Sequence, residues 1–458
     1  MLAIPAAAQE VESLARRGPA QHVIVLGAGL AGLCAAYELQ SQGHRVTVLE
    51  AQSRPGGRVR TLREGFAPGL YGEAGPETIP GAHAITQHYA RAFGLQLLPS
   101  GQAGKRSFYH VRGRRIFAGP TAEWPFQLTA EERQLGLAGL SQKYLGAAVQ
   151  QAIEAGYEKT PVAALRAWDG QTPGQWLRSR GASAAAAELL CLGFGTDFGS
   201  AASFLLHRLN SMGGTGSFRV EGGNDHLPEE FARRVEVRYG AAVVAVAQEE
   251  DGVAVTLRSG DATETLRGDR AICALPCPAV GRIFRNARLS KEKERAIQEL
   301  SYSRTVKVFQ QSRRRFWLEG GFSGFVTTDL PIERLTPDPG TEVSARGALT
   351  AYAMGPYTAR LEAMTEEERL SAALAQTRQI FPELTQHFEG GLSKCWGLDP
   401  WQRGSFALHT PGQIGFIDTL AKSEGRIHFA GEHTSIWTGW MQGALDSARR
   451  AVREINAA

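Results

Sequence analysis

At 458 residues the chain is long enough for two or three domains, each with its own core, and its 43% hydrophobic and 21% charged residues are ordinary for a globular protein. A net charge of +4 with no Lys/Arg block argues against nucleic acid as a partner. Five scattered cysteines, an odd number, argue against a disulfide framework, and Cys273 and Cys277 have no nearby His or second pair to complete a metal site.

The chain opens with Pro5 and an alanine cluster, but Glu10, Glu12, Arg16 and Arg17 interrupt any long apolar run. The expectation is no signal peptide, no membrane span and a cytoplasmic location. Residues 22–26 then read as a buried parallel strand, and the Ala/Leu-rich stretch to Gln40 as a helix. Gly27, Gly29 and Gly32 sit at the turn between them. The first allows the tight turn, the second lets backbone approach a pyrophosphate, and the third lets the helix pack closely on the strand. The helix N-terminus offers free amides to the phosphates. A second strand, 45–50, ends in Glu50, placed to accept hydrogen bonds from ribose hydroxyls and to disfavour a 2′-phosphate. Arg54-Pro55-Gly56-Gly57-Arg58 sharpens the expectation from NAD to FAD: the glycine pair removes bulk, and Arg58 can bring a guanidinium near the pyrophosphate.

From 122 to 217 the sequence turns helical, with Leu137, Leu140, Tyr144, Ala148 and Ala152 at three- and four-residue spacing and a tract of high helix propensity over 184–190. Short apolar or alternating runs at 241–247, 253–257 and 271–275 predict strands. So do 306–310 and 348–353, in a strand-rich stretch from 301 to about 416. Lys307 alternates with Val306 and Val308, so it shares a strand face with Thr305 and Phe309. Taken alone, it reads as an edge lysine snorkelling to solvent. Near the C-terminus, 426–433 supplies Phe429-Ala430-Gly431-Glu432, and Gly439-Trp440-Met441 opens a predicted helix over 439–455.

These motifs resemble the flavin-dependent amine oxidase superfamily over essentially the whole chain. The likeness rests on 27–58, Gly72-Glu73-Ala74-Gly75-Pro76, Val220-Glu221-Gly222-Gly223-Asn224-Asp225, Val306-Lys307-Val308-Phe309, 396–404, Phe429-Ala430-Gly431-Glu432 and Gly439-Trp440-Met441. Ile79-Pro80, Ala351-Tyr352-Ala353-Met354-Gly355 and Gly439-Trp440 are most similar to the L-amino acid oxidase branch. The resemblance implies an α/β fold with three parts. A discontinuous Rossmann-like FAD-binding domain takes 19–70, 219–300 and 425–458. An α+β substrate-binding domain takes 71–121 and 301–424, and a helical domain takes 122–218.

The implied activity is oxidative deamination of L-amino acids by hydride transfer to flavin N5, with O₂ as acceptor and 2-oxo acid, ammonia and hydrogen peroxide as products. Lys307 is then the residue that holds a water against flavin N5 and assists the reaction with O₂. Trp440 is one wall of an aromatic cage, with Phe406 opposite and Gly439 beside it. Tyr352 binds the substrate carboxylate, and His207 corresponds to a helical-domain histidine suggested as a base. Gly57, Val244, Trp396, Gly431, Glu432 and Met441 join Gly27, Gly29, Gly32, Glu50 and Arg58 at the cofactor. Covalent monoamine oxidases carry a cysteine where Ser405 stands, so FAD is expected to be noncovalent. The partners implied are a small amine or amino acid and O₂, without membrane or metal, and a homodimer is compatible with them.

One departure matters. Members of the branch present an arginine before Ile/Leu/Phe-Pro, which clamps the substrate carboxylate bidentately. Here Thr78 takes that place and supplies no charge. Either another cation substitutes, or the substrate is an amine without a carboxylate, or activity on amino acids is weakened. A flavoprotein scaffold that merely binds a partner is the third class of reading. Lys307 and Trp440 argue against it, because a scaffold needs neither.

Overall fold

The computed structural model describes residues 12–458 except 102–103, 158, 212–213, 282, 285 and 339–344. Part of the opening segment read for a signal peptide, residues 1–11, therefore lies outside the described residues. No helix among the described residues is long and apolar enough to cross a membrane.

A five-stranded parallel sheet organises the dinucleotide motifs, in the order Val237–Arg238, Arg45–Leu49, His22–Leu26, Arg270–Cys273, Ile427–Phe429. Val23 to Leu26 are fully buried, as expected of a central parallel strand covered on both faces. On one face, Val23 and Val25 pack against Leu33 and Leu39 of the helix Leu30–Ser41 and against Leu445 and Val452 of the helix Met441–Asn456. On the other, Ile24, Leu26 and Leu49 meet Val246, Val255 and Leu257.

Those last residues come from Ala242–Gln248 and Val253–Ser259, which with Ala262–Gly268 form a separate antiparallel sheet. Their alternating pattern marks a sheet with one buried face, whereas the uninterrupted apolar run at 23–26 marks the doubly covered one.

A seven-stranded sheet follows the order Phe388–Cys395, Val306–Ser312, Gly347–Ala353, Arg334–Pro337, Phe322–Thr328, Arg106–Val111, Arg114–Ile116. Val306–Ser312 is paired on both sides and wholly buried, so Lys307 is not an edge lysine.

The helical stretch begins at Ala130–Ser141, whose Thr129 and Glu132 form a capping box. It passes through a π turn, Gln142–Gly146, into Ala147–Glu154 and ends at Ala201–Ser211. Leu140, Tyr144, Ala148 and Ala152 share its core, while Leu137 is only half-buried against it.

Candidate active site

The parallel sheet, the seven-stranded sheet and the C-terminal helix converge on an open cleft. Its lining runs from Gly27, Gly29 and Glu50 at one end to Lys307, Tyr352, Phe406 and Trp440 at the other.

At the first end Gly27 has φ +98°, a left-handed conformation open chiefly to glycine. A Cβ at Gly29 would meet no atom within 4 Å, so this backbone borders open cleft. A Cβ at Gly32 would collide with the Gly27 carbonyl, which is why the helix can start this close to the strand. Glu50 is 6% exposed and accepts the Ala28 amide at 2.8 Å and the Gln52 amide at 2.9 Å. Burial pushes its carboxyl up, against the pull of those amides.

Arg58 lines the cleft, with one of its nitrogens committed within the protein. Its Nη1 donates to Glu432 Oε1 at 2.6 Å and to the Ser405 carbonyl at 3.2 Å. Burial alone would raise the Glu432 carboxyl. Arg58, His433 and the Gly439 amide together hold it below the usual carboxylate range. Glu432 also accepts from the Ala407 amide, so one carboxylate ties three distant segments together at the cleft.

Val244, expected at the cofactor, is 38% exposed and does not line the cleft. It is the extra residue of a bulge between Val243 and Ala245, and Val243 lines the cleft instead. Gly57, Gly431, Trp396 and Met441 all line it. Trp396 is anchored by an indole N–H donated to the Ala74 carbonyl at 2.7 Å.

At the far end the C-terminal helix starts at Met441 rather than at Gly439. Gly439 takes φ +82°, and Trp440 is an extended N-cap. Trp440 packs edge-on against His83 at 4.8 Å between ring centres, and its buried indole N–H has no partner among the described residues. Phe406 and Gly439 line the same end, and the Ser405 hydroxyl is held by Thr305 and the Ser303 carbonyl.

Lys307 is 1% exposed, and its three N–H groups have three acceptors: the Glu73 and Gly75 carbonyls and Glu77 Oε1, each at 2.8 Å. Acidic groups crowd around it. Burial pushes the Glu73 carboxyl up to about 8, opposed by hydrogen bonds from Asn224 and Thr61. It pushes Asp338 up to about 7, with Glu77 adding to the rise.

His207 does not line the cleft. Its ring stands 6.1 Å from that of Phe406, and burial lowers it to about 4, so it is neutral at pH 7. Thr78, expected to touch substrate, is also absent from the lining. Its neighbour Glu77 reaches Lys307 instead.

Sequence reasoning missed Glu77, which pairs with Lys307, and singled out neither Val243 nor Trp401 and Gln402 in the lining. No local pattern marks Glu77 or Val243, because their positions are set by contacts with distant segments, and the 396–404 motif does not show which of its residues face the cleft.

A family model described as flavin containing amine oxidoreductase matches residues 30–456. In sequence the chain is similar to the L-amino-acid oxidase of Vipera ammodytes ammodytes, 30% identical over 459 aligned positions covering 96% of this chain and 93% of that protein. It is also similar to a putative L-amino-acid oxidase of Bacillus subtilis (strain 168), 29% identical over 95% of each. In structure it is similar to putrescine oxidase bound to putrescine, with a TM-score of 0.83 and 22% identity over 96% of this chain and 100% of that one. Cyclohexylamine oxidase from Brevibacterium oxydans IH-35A gives 0.81 at 25% identity over 96% and 99%.

Proposed function

The chain belongs to the flavin-containing amine oxidoreductases, and from that premise we propose that it binds FAD without a covalent tether and oxidises L-amino acids to 2-oxo acids, ammonia and hydrogen peroxide. In this reading 19–70, 219–300 and 425–458 hold the cofactor, 71–121 and 301–424 the substrate, and 122–218 form the helical domain. The observation that carries the substrate class is Tyr352, which lines the cleft beside Lys307 and has a hydroxyl without a protein partner among the described residues. The full-length likeness to L-amino-acid oxidases supports it.

The residues fit FAD. The open backbone at Gly29, a carboxylate at Glu50 and a lining that runs from these residues to Lys307 and Trp440 suit an extended dinucleotide. Glu50 would accept from the ribose, the amides that begin the helix Leu30–Ser41 would meet the pyrophosphate, and the start of Met441–Asn456 would favour negative charge on the ring system. No cysteine is among the residues lining the cleft, and Ser405 cannot form a thioether.

FAD, when bound, would supply the hydride acceptor and a route for the electrons to O₂. The chain does the rest. Trp440 and Phe406 form apolar walls that exclude bulk water and hold the amine-bearing carbon in place. Tyr352 donates to the substrate carboxylate. Lys307, fixed by its three acceptors, keeps a positive charge at the cleft where negative charge develops. His207, neutral at pH 7, adds no competing charge.

Thr78 favours a second reading, an oxidase of amines without a carboxylate. Anaerobic bleaching of the flavin by L-amino acids and by their decarboxylated amines separates the two. Bleaching by the amino acids supports the proposal, and bleaching by the amines alone sinks it.

A further inference from the structure

Lys307, Tyr352 and Arg334 form a row across three neighbouring strands. Lys307 stands directly opposite Tyr352, and Tyr352 directly opposite Arg334. Residues paired this way share one face of the sheet. Lys307 Nζ lies 4.6 Å from the centre of the Tyr352 ring, and the Arg334 guanidinium carbon lies 4.5 Å from the same centre. Lys307 and Tyr352 line the cleft; Arg334 does not, and the row places this second cation one strand further out, against the Tyr352 ring on the same face of the sheet.

The two cations differ in what they lack. Every N–H of Lys307 has an acceptor within the protein. Arg334 has five donors, and its recorded acceptor is the weak thioether of Met354, at 3.2 Å from Nη2. Its Nε is buried with no partner, and no carboxylate pairs with it among the described residues. The adjacent Glu333 is already committed to the Met354 and Gly355 amides at 2.9 and 2.7 Å. An unsatisfied guanidinium is costly to keep unless an anion arrives to complete it.

Its surroundings hold it at the seam between sheet and helical stretch. The guanidinium lies 5.3 Å from the Phe194 ring, and its charge acts on His207, the neighbour of Phe406.

We propose that Arg334 is the carboxylate-binding cation of this enzyme, acting with the Tyr352 hydroxyl in place of the arginine that Thr78 replaces. This rests on the amino-acid reading of the site. A carboxylate accepting from Tyr352 comes within reach of the guanidinium stacked on that ring, and the geometry of the fork suits two parallel hydrogen bonds. The arginine thus arrives from a different strand and meets the same ligand group.

The test compares holoenzyme with Arg334→Met, which keeps the stem against Phe194, and with Arg334→Lys, which keeps charge without the fork. L-phenylalanine and phenethylamine are compared as reductants under anaerobic conditions, and 3-phenylpropanoate, which has the carboxylate and no amine, is titrated by calorimetry. Arg334→Met is expected to lower the phenylalanine-to-phenethylamine ratio roughly tenfold or more and to weaken 3-phenylpropanoate by a similar factor, with Arg334→Lys intermediate. Equal losses on both reductants, or 3-phenylpropanoate binding that ignores the substitution or is absent from the wild type, overturn the proposal. A wild type that oxidises only the amine, yet binds 3-phenylpropanoate through Arg334, overturns the amino-acid reading and leaves Arg334 as an anion site.

Discussion

Arg58 and Glu432 are separated by 374 positions in sequence and by 2.6 Å in the fold. The pair joins the glycine pair behind the second strand, Arg45–Leu49, to the loop before the C-terminal helix. Because Glu432 also accepts the Gly439 and Ala407 amides, it sets the position of the aromatic end of the cleft as well.

Glu432→Gln keeps an acceptor for those amides but leaves Arg58 without its counter-charge. Removing one partner of a largely buried pair costs about 3 kcal/mol. The expected result is a lower thermal midpoint and a higher FAD dissociation constant, read by calorimetry and by flavin titration of the apoprotein. A midpoint equal to wild type would mean that solvent already screens the pair.

Purified protein should be yellow, and acid or heat should release all its FAD into the supernatant. Ser405 lacks the thiol needed for a thioether, and no cysteine is among the residues lining the cleft. Flavin that stays with the precipitate contradicts this.

Lys307→Met should slow reoxidation of the reduced flavin by O₂ at least tenfold while slowing anaerobic reduction by substrate far less. The residue supplies charge at the cleft rather than a contact to the substrate carbon. Stopped-flow traces with equal losses in both half-reactions remove that assignment.

Trp440→Ala should lower turnover with FAD still bound. The helix N-terminus beneath it is made by backbone, and the Trp440 side chain makes no capping hydrogen bond. If the variant instead loses flavin or fails to fold, the indole belongs to the core rather than to a substrate wall.

Glu73 makes stability fall as pH rises. Its carboxyl is raised by burial to about 8, so the folded state holds a proton that the unfolded state has already released. Stability from this group is present at low pH and is lost on going from about pH 4.5 to about pH 8. Glu73→Gln, which retains partners for Asn224 and Thr61, should flatten that part of the profile. Thermal midpoints measured from pH 5 to pH 8 that run parallel for the two proteins would count against it.

What was legible in the sequence was local. The strand, turn and helix around Gly27, Gly29 and Gly32 depend on residues within a few positions of one another: Gly27 is required by its own left-handed φ and Gly32 by its approach to the Gly27 carbonyl. Other features depend on partners that the sequence does not display. Val244 and Val243 exchange places because a bulge inserts one residue. The C-terminal helix starts two residues late because Gly439 turns left-handed. Arg334 has no neighbour in sequence that hints at Tyr352, since strand register alone aligns them. Glu77 lies between two recognised motifs, and only the fold brings it to Lys307.

The parallel sheet has a consequence for how the protein is made. Its central strand, His22–Leu26, leaves the ribosome early, but the edge strand Ile427–Phe429 and the Arg58 partner Glu432 emerge only near the end of translation. At ordinary synthesis rates the glycine turn waits on the order of tens of seconds for the segment that completes it. Flavin capture is therefore a late event in biogenesis, and a nascent chain interrupted before residue 427 should expose an unfinished sheet edge to chaperones rather than carry cofactor.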